Sequence, residues 1–398
     1  MVLKKVRVLV RRFAITVVTL DNARGPFPND PLLEHYVPAD VEVVRLPTWD
    51  AGRVTHRAAG FAVGALFRNS ELIRYFDYRW AADATDAIIE RVLPRRRFDV
   101  MMTNAQNMCA HLVGLRIRPL LPIPWVQHYS DPFTGMAFGW RHPLSRWVDE
   151  RYIRRFLDAV HLITMPTAEM AACVFDGFPG ERRQSLLRRT AVVPHTYDPE
   201  FLESALVRYP DRTRYFTDVD AMHVCYVGNL YGTRGADLVV RAGQRLRSDT
   251  GRRTVVHIFG RVGALSKRHL VDSNIVFHRG VDYLESLAVM QHADALLLVD
   301  VPRVRSPFFP SKLADYLGTS RPIIAVADPA SAVARIARDT RLTLAAWDDE
   351  PIRVSTAVGP DELAARAQFA TTDRSLGMLI GGLTRLARGA SEADTIPA

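Results

Sequence analysis

Lysine is nearly absent from this chain. Of its 398 residues, 52 are basic, and only four of those are lysine; the other 48 are arginine. Cysteine is scarce too. Cys109, Cys173 and Cys225 lie far apart in apolar runs, which excludes a disulfide scaffold and points to buried thiols. No apolar run approaches the roughly 20 residues that span a bilayer. The first residues lack an uninterrupted apolar core with a small-residue cleavage site, so no secretory signal is expected and a cytoplasmic location is. GxxxxGK[ST], GxGxxG and GxSxG are all missing, which argues against a P-loop, a dinucleotide fingerprint and a hydrolase elbow. No His, Cys, Asp or Glu cluster has metal-ligand spacing, so neither a metal nor a cofactor is expected. The basic runs "RRRFD" and "ERRQSLLRR" carry no interleaved aromatics, so nucleic acid is not an expected partner.

What is present is a globular composition, 48% apolar and 24% charged, in a chain too long for one core. Its charge is lopsided. Residues 1–195 hold 27 Lys and Arg against 19 Asp and Glu, whereas residues 196–398 hold 25 against 24. A basic first half suits an anionic partner such as a phosphorylated substrate or an anionic membrane face, although arginine-rich solubility is the plainer reading.

Strand and helix patterns alternate from Met222 onward: "HVCYVGN", "TVVHIFG", "NIVFHRG", "DALLLVD", "IIAVAD" and "LTLAAW" as strands. Between them stand the helical "GADLVVRAGQRLRSD", "DYLESLAVMQHA", "SKLADYLG" and "SAVARIARDT", with a short helical piece after "TVVHIFG". Short Val/Ile/Leu runs separated by helices predict a parallel, doubly wound, Rossmann-like sheet. The first half repeats the pattern with longer connections, through "AITVVTL", "VEVVRLP", "FDVMMTN", "IPWVQHY", "LITMPT" and "TAVVPH". The predicted organisation is one domain over 1–198, a second over 199–376, and a C-terminal helix with a frayed tail over 377–398. Two such domains in tandem place a crevice between the carboxyl ends of their strands.

The opening residues read as a helix, because four residues between "VRVLV" and "ITVVTL" cannot hold a crossover. Val2, Val6, Leu9, Val10 and Phe13 then share one face, with Lys4, Lys5, Arg7, Arg11 and Arg12 mostly on the other.

One of the rare lysines stands where stability would not choose it. In "FFPSKLADYLG", Pro310 stops the preceding loop, Ser311 reads as an N-cap, and Lys312 enters the first turn. A cation there opposes the helix dipole, yet it suits an anion bound at that end. The alternative is a solvated lysine. A second strand–glycine–helix junction, "YVGNLYGTRGADL", offers Gly228 and Gly232 for tight turns and Arg234 as a phosphate fork. Together the two junctions suggest a diphosphate clamp.

These segments, with "VHIFGRV" and "VFHRGVDYLESLAVMQHADALLLVD", resemble the donor-binding half of family-4-type glycosyltransferases (glycosyltransferase group 1 like), in a Pro-Ser-Lys variant. "PWVQHYSDPF" and "VVPHTYDPEF" resemble the acceptor-side strand end and the domain junction of the same family. The resemblance spans about residues 14–385. It implies an α/β GT-B fold of two Rossmann-like domains facing a central cleft, and a nucleotide-sugar donor. Arg234 stands at the family's diphosphate-binding Lys, Lys312 at the lysine of Pro-Ser-Lys after Pro310 and Ser311, and Asp315 at the second glutamate of a pair. Val281 stands where the backbone meets the nucleobase; Gly228, Asn229 and Gly232 form the donor loop; His128 and Asp131 fall at the acceptor-side catalytic position. From residue type and spacing alone, His128 and Asp131 read first as a core histidine and a turn start, and it is the resemblance that reverses this. His195 and Asp198 read as hinge residues.

The sequence also departs from that pattern. Pro307 stands where the first glutamate of the pair belongs, leaving Asp300 as a substitute; Asn229 replaces an arginine; and the first strand with its glycine-rich loop is missing. The implied activity is sugar transfer from a nucleoside diphosphate to an acceptor hydroxyl with retention, in cell-envelope or capsular polysaccharide or glycolipid assembly. The setting would be the inner membrane face, with an anionic or lipid-linked acceptor. A nucleotide-sugar 2-epimerase and a non-catalytic nucleotide-sugar-binding relative are the alternatives.

Overall fold

A computed structural model describes residues 2–21, 30–47, 77–105, 108–133, 143–230, 236–262, 274–355, 357–371 and 375–393. By its contacts the chain divides into two compact units, one of Val2–Val193 with Leu376–Ala398 and one of Pro194–Ser375.

The first unit opens with the expected helix, Val2–Leu9. Strands β1 (Thr16–Asp21) and β2 (Glu42–Pro47) form a parallel pair. Strands β3 (Met101–Ala105), β4 (Trp125–Tyr129), β5 (Leu162–Met165) and β6 (Thr190–Val192) form a second parallel sheet in that order. Every β4 residue is buried, Gln127 and His128 included, as in a sheet covered on both faces. Against β4 and β6 pack Val8 and Leu9 of the first helix, Leu379 and Leu383 of the last, Gly377–Ala393, and Leu376 just before it.

The amphipathic reading of the first helix fails on its polar side. Val6, Val8 and Leu9 are buried, but so are Lys4 (3% exposed) and Lys5 (4%), while Val2 is exposed. Each buried Val or Leu contributes about 1.5–3 kcal/mol, and the helix docks for that gain while carrying two lysine stems inward with it. The predicted solvated lysine face is therefore absent: Arg11 and Arg12 are exposed, and Arg7 is half-buried with its guanidinium donating to the Tyr36 carbonyl.

The second unit follows the predicted alternation closely. Strands β7 (Met222–Val227), β8 (Leu246–Ser248), β9 (Thr254–Phe259), β10 (Ile275–His278), β11 (Ala295–Val299), β12 (Ile323–Val326) and β13 (Thr343–Ala345) appear in turn. Apart from β8 they make one parallel sheet, β10-β9-β7-β11-β12-β13. That is the doubly wound order 3-2-1-4-5-6, whose strand order reverses between β7 and β11. All residues of β7, β11 and β12 are buried. Asp282 caps the helix Tyr283–His292 by accepting from the Glu285 amide at 2.7 Å, and Ser331 caps Ala332–Asp339 by accepting from the Ala334 amide at 3.1 Å.

Two expectations need correction. The helix beginning at Ala236 ends at Arg245 rather than running to Asp249, because Leu246–Ser248 turns into β8 and pairs with β14 (Ile352–Val354). The cap of the helix Ser311–Leu317 is Pro310, and Ser311 is the first helical residue with no side-chain cap bond. An extended proline (φ −58°, ψ 124°) has already left the helical region, so the serine has no capping position to fill. The short helical piece expected after β9 and the tail 394–398 lie outside the described residues.

Candidate functional site

In an open parallel sheet, ligands bind outside the carboxyl ends of the strands where the order reverses. Here that point lies between β7 and β11, and its geometry is unusual. The two strands pair only through Ala295–Val224 and Leu296–Cys225, whereas β7 and β9 stay paired along six residues. Past Cys225 they part, and the Tyr316 hydroxyl enters the gap. It accepts from the Val227 amide at 2.8 Å and donates to the Leu297 carbonyl at 3.5 Å. Burial raises the Tyr316 phenol well above its ordinary value, so it stays protonated and keeps both bonds. Tyr316 thereby fixes the helix Ser311–Leu317 to the end of β7, and Lys312 sits on that helix.

Lys312 reaches the glycine turn that follows β7. Gly228 has φ +131°, and a Cβ on it would lie 2.7 Å from Lys312 Nζ and 2.9 Å from Cε. Glycine is required there twice over, for its backbone conformation and for the space the ammonium takes. Gly260 (φ +151°), after β9, meets the Gly228 carbonyl so closely that a Cβ would overlap it. Asn229 Oδ1 accepts from the Arg261 amide at 2.9 Å and ties the two strand-end turns together. The Lys312 ammonium also lies 3.6 Å from the centroid of the Tyr226 ring, a cation–π contact with a buried Nζ. Sequence reasoning singled out Gly228, Asn229, Pro310, Ser311 and Lys312, and the fold brings them to one place.

Asp315, one turn further along the helix, is buried and accepts from the Tyr283 hydroxyl at 3.0 Å. Burial and then the Asp315 carboxylate push the Tyr283 phenol well up. Asp300 is wholly buried just beyond β11, its amide donating to the Val326 carbonyl at 3.0 Å. Val281, after β10, lines a cavity of about 170 Å³ with Arg214, Tyr215, Phe259, His278, Arg279 and Glu285. One wall is a parallel stack of Phe259 on His278, 4.0 Å apart and 4° off parallel. Arg214 pairs with Glu285 at 3.1 Å, and the Tyr215 hydroxyl donates to the same carboxylate at 3.2 Å. Arg234 and Gly232 lie outside the described residues.

In the other unit, His128 is buried on β4 with Nδ1 2.9 Å from the Thr164 hydroxyl of β5, and Asp131 follows the strand half-buried. Beside them, Lys5 Nζ donates to Asn104 Oδ1 on β3 at 3.5 Å, and burial lowers its ammonium to about 7. Asp198 caps the helix Pro199–Arg208 by accepting from the Glu200 amide at 3.1 Å, and the His195 ring packs 5.1 Å from Phe309. Among the described residues, no group of His, Cys, Asp or Glu is arranged to hold a metal.

Tyr226, Tyr316, Gly260 and His278 are the site residues that sequence reasoning missed. Each was visible only as part of an apolar run or a glycine turn. No signal marks Tyr316 as a strand bridge until the strands are known to part.

No protein-family model matches the chain, and no curated protein matches it in sequence. Solved structures do match its fold. Anabaena Alr3699/HepE in complex with UDP and glucose is 10% identical over 97% of this chain and all of its own, with a TM-score of 0.55. A UDP-forming α,α-trehalose-phosphate synthase from Burkholderia xenovorans is 11% identical over 95% and 94%, with a TM-score of 0.57. WaaG, a glycosyltransferase involved in lipopolysaccharide biosynthesis, is 17% identical over 99% and 90%, with a TM-score of 0.51. These likenesses establish the fold, a mixed α/β architecture of the GT-B type with Rossmann-like parallel sheets.

Proposed function

We propose that this chain is a glycosyltransferase that moves a sugar from a nucleoside-diphosphate sugar to an acceptor hydroxyl. The observation that carries this reading is the meeting of Lys312 with Gly228 at the sheet's reversal point. An ammonium held against a bare backbone turn there is suited to the oxygens of a diphosphate. The fold is shared with a protein solved both with UDP and with UDP-glucose, which favours a uridine nucleotide as the donor's leaving group.

When the glycosidic bond breaks, negative charge grows on the departing diphosphate. Lys312 and Arg234 would stabilise it, each by roughly 3–4 kcal/mol if the geometry is held in advance. The Val281 backbone and the Phe259–His278 wall would take the base. Asp315 or Asp300 would accept from ribose or sugar hydroxyls. His128 or Asp131 would orient or deprotonate the acceptor. No step in this scheme asks for a metal. The basic first half, its exposed Trp147 and the lipopolysaccharide role named for WaaG favour an anionic or lipid-linked envelope acceptor at a membrane face. Among the described residues no helix is long and apolar enough to cross a membrane. Retention of anomeric configuration remains part of the reading.

The test is calorimetry of the full chain with UDP, with and without chelator, followed by a donor-consumption assay with and without candidate acceptors. Binding that survives chelator and turnover that requires acceptor are expected. A changed sugar with no acceptor would replace this reading with epimerisation, and binding without any chemistry would replace it with a carrier role.

A further inference from the structure

Three histidines cross the sheet of the second unit as a connected chain. His223 Nδ1 lies 2.8 Å from His257 Nε2, and His257 Nδ1 lies 2.9 Å from His278 Nε2. The strand register explains their alignment. His223 pairs with Val255, two residues before His257, and His257 pairs with Val276, two residues before His278. A two-residue step keeps each side chain on the same face. The chain therefore runs diagonally from the start of β7 to the carboxyl end of β10, where ligands bind. Phe216 stacks on His223 at 4.8 Å and Phe259 on His278 at 4.0 Å, so aromatic rings hold both ends.

The far end sets the direction of every proton. His223 Nε2 is 2.6 Å from the Asp218 carbonyl, which can only accept, so Nε2 carries the hydrogen and Nδ1 is a lone pair. His257 must then donate from Nε2 to His223 and accept at Nδ1 from Nε2 of His278. The remaining nitrogen, Nδ1 of His278, is left as an acceptor on a ring that lines the cavity beside Val281. A proton can be added at that open end without breaking the chain. At His223 or His257 it would set two N–H groups against each other.

The geometry points to a base-reading role for this chain: His223 and His257 are positioning residues that hold His278 as a hydrogen-bond acceptor for a ring N–H of the bound base, the N3–H of uracil. This rests on the uridine-nucleotide reading of the same cavity. Burial lowers the His278 imidazole below its ordinary value, and burial with the two neighbouring rings lowers His257 to about 3. Burial thus favours neutral rings at His257 and His278. The other groups facing His278 are Arg214 and Tyr215 ahead of β7, Glu285 on the helix Tyr283–His292, and Arg279 beside it. The Tyr215 phenol is pushed up to about 12, chiefly by burial. Acidification should therefore convert the His278 acceptor into a donor and weaken uridine nucleotides as pH falls through its pKa.

Nitrogen-15 NMR of histidine-labelled, ligand-free protein at pH 7.5 should show all three rings as the Nε2–H tautomer. Calorimetry should favour UDP over N3-methyl-UDP by about tenfold, the worth of one buried hydrogen bond. That preference should vanish at low pH and in His278→Phe, which keeps the stack on Phe259. His257→Leu should release the His278 tautomer and move the pH midpoint. An Nδ1–H tautomer at His278, or an equal preference in His278→Phe, would overturn the role. Failure of the full chain to bind either nucleotide would overturn the nucleotide reading itself, and this role with it.

Discussion

Replacing Lys5 with methionine should stabilise the protein at pH 7 and lose that advantage as the solution turns alkaline. Lys5 is 4% exposed, and its hydrogen bond to Asn104 is 3.5 Å long. Burial lowers its ammonium from 10.5 to about 7. Below pH 7 the folded and unfolded chains both carry the proton, and the fold bears the full cost of burying the charge. Between 7 and 10.5 the unfolded chain holds one proton more, so the parent protein gains stability with pH at about 1.4 kcal/mol per unit. Over that window the gain reaches about 5 kcal/mol as a ceiling, since water penetration and relaxation reduce it. Methionine keeps the unbranched stem and carries no charge, so it avoids this cost at every pH. Urea unfolding of both proteins at pH 7 and pH 9.5 measures the gap, which should shrink by about 3 kcal/mol between the two. A variant less stable than the parent by the same amount at both values would refute the reasoning, because the ammonium would then be paying its way through a contact and not costing through burial.

Lys312→Ala should cut donor turnover by about 100-fold, with a modest loss of stability from the vacated contact over Tyr226, read by steady-state kinetics and thermal melts; full turnover with an early melt would make Lys312 structural. Gly228→Ala should abolish UDP binding and lower stability by about 1–3 kcal/mol, because a Cβ there displaces the ammonium; calorimetry and urea titration report both. Attachment to anionic liposomes should weaken as salt rises, since exposed charges are screened over about 8 Å at physiological ionic strength. With Lys4 and Lys5 buried, charge reversal at the exposed Arg151, Arg154 and Arg155 beside Trp147 should reduce co-sedimentation more than reversal at Arg11 and Arg12. Equal binding to neutral liposomes would remove electrostatics from the account.

The sheet type of the second unit was legible because its Val/Ile/Leu runs are short, continuous and spaced by helices, leaving little but a doubly wound parallel sheet. Lys312 was legible for a different reason, being a lysine in a chain that otherwise writes arginine, at a position the helix dipole disfavours. The histidine chain was not legible at all. His223, His257 and His278 become neighbours only through two strand registers, each offset by two residues, and nothing local encodes a register. Lys4 and Lys5 misled because a helical wheel assumes one buried side, while this helix is enclosed on more than one. Ser311 misled because a serine after proline looks like a cap, although the extended proline already serves.

The parting of β7 and β11 has a mechanical consequence. A seven-residue helix has no stiffness of its own in water, and a lysine on it would wander by the full reach of its stem. The Tyr316 hydroxyl bonds that helix to the sheet, so glycine turn and ammonium share one support although they are distant in sequence. A charge mounted this way spends little energy reorganising when an anion forms in front of it. Tyr316→Phe would keep the ring's bulk and remove only the coupling. The lysine would remain present but lose its fixed address, and the change should appear in turnover before it appears in affinity.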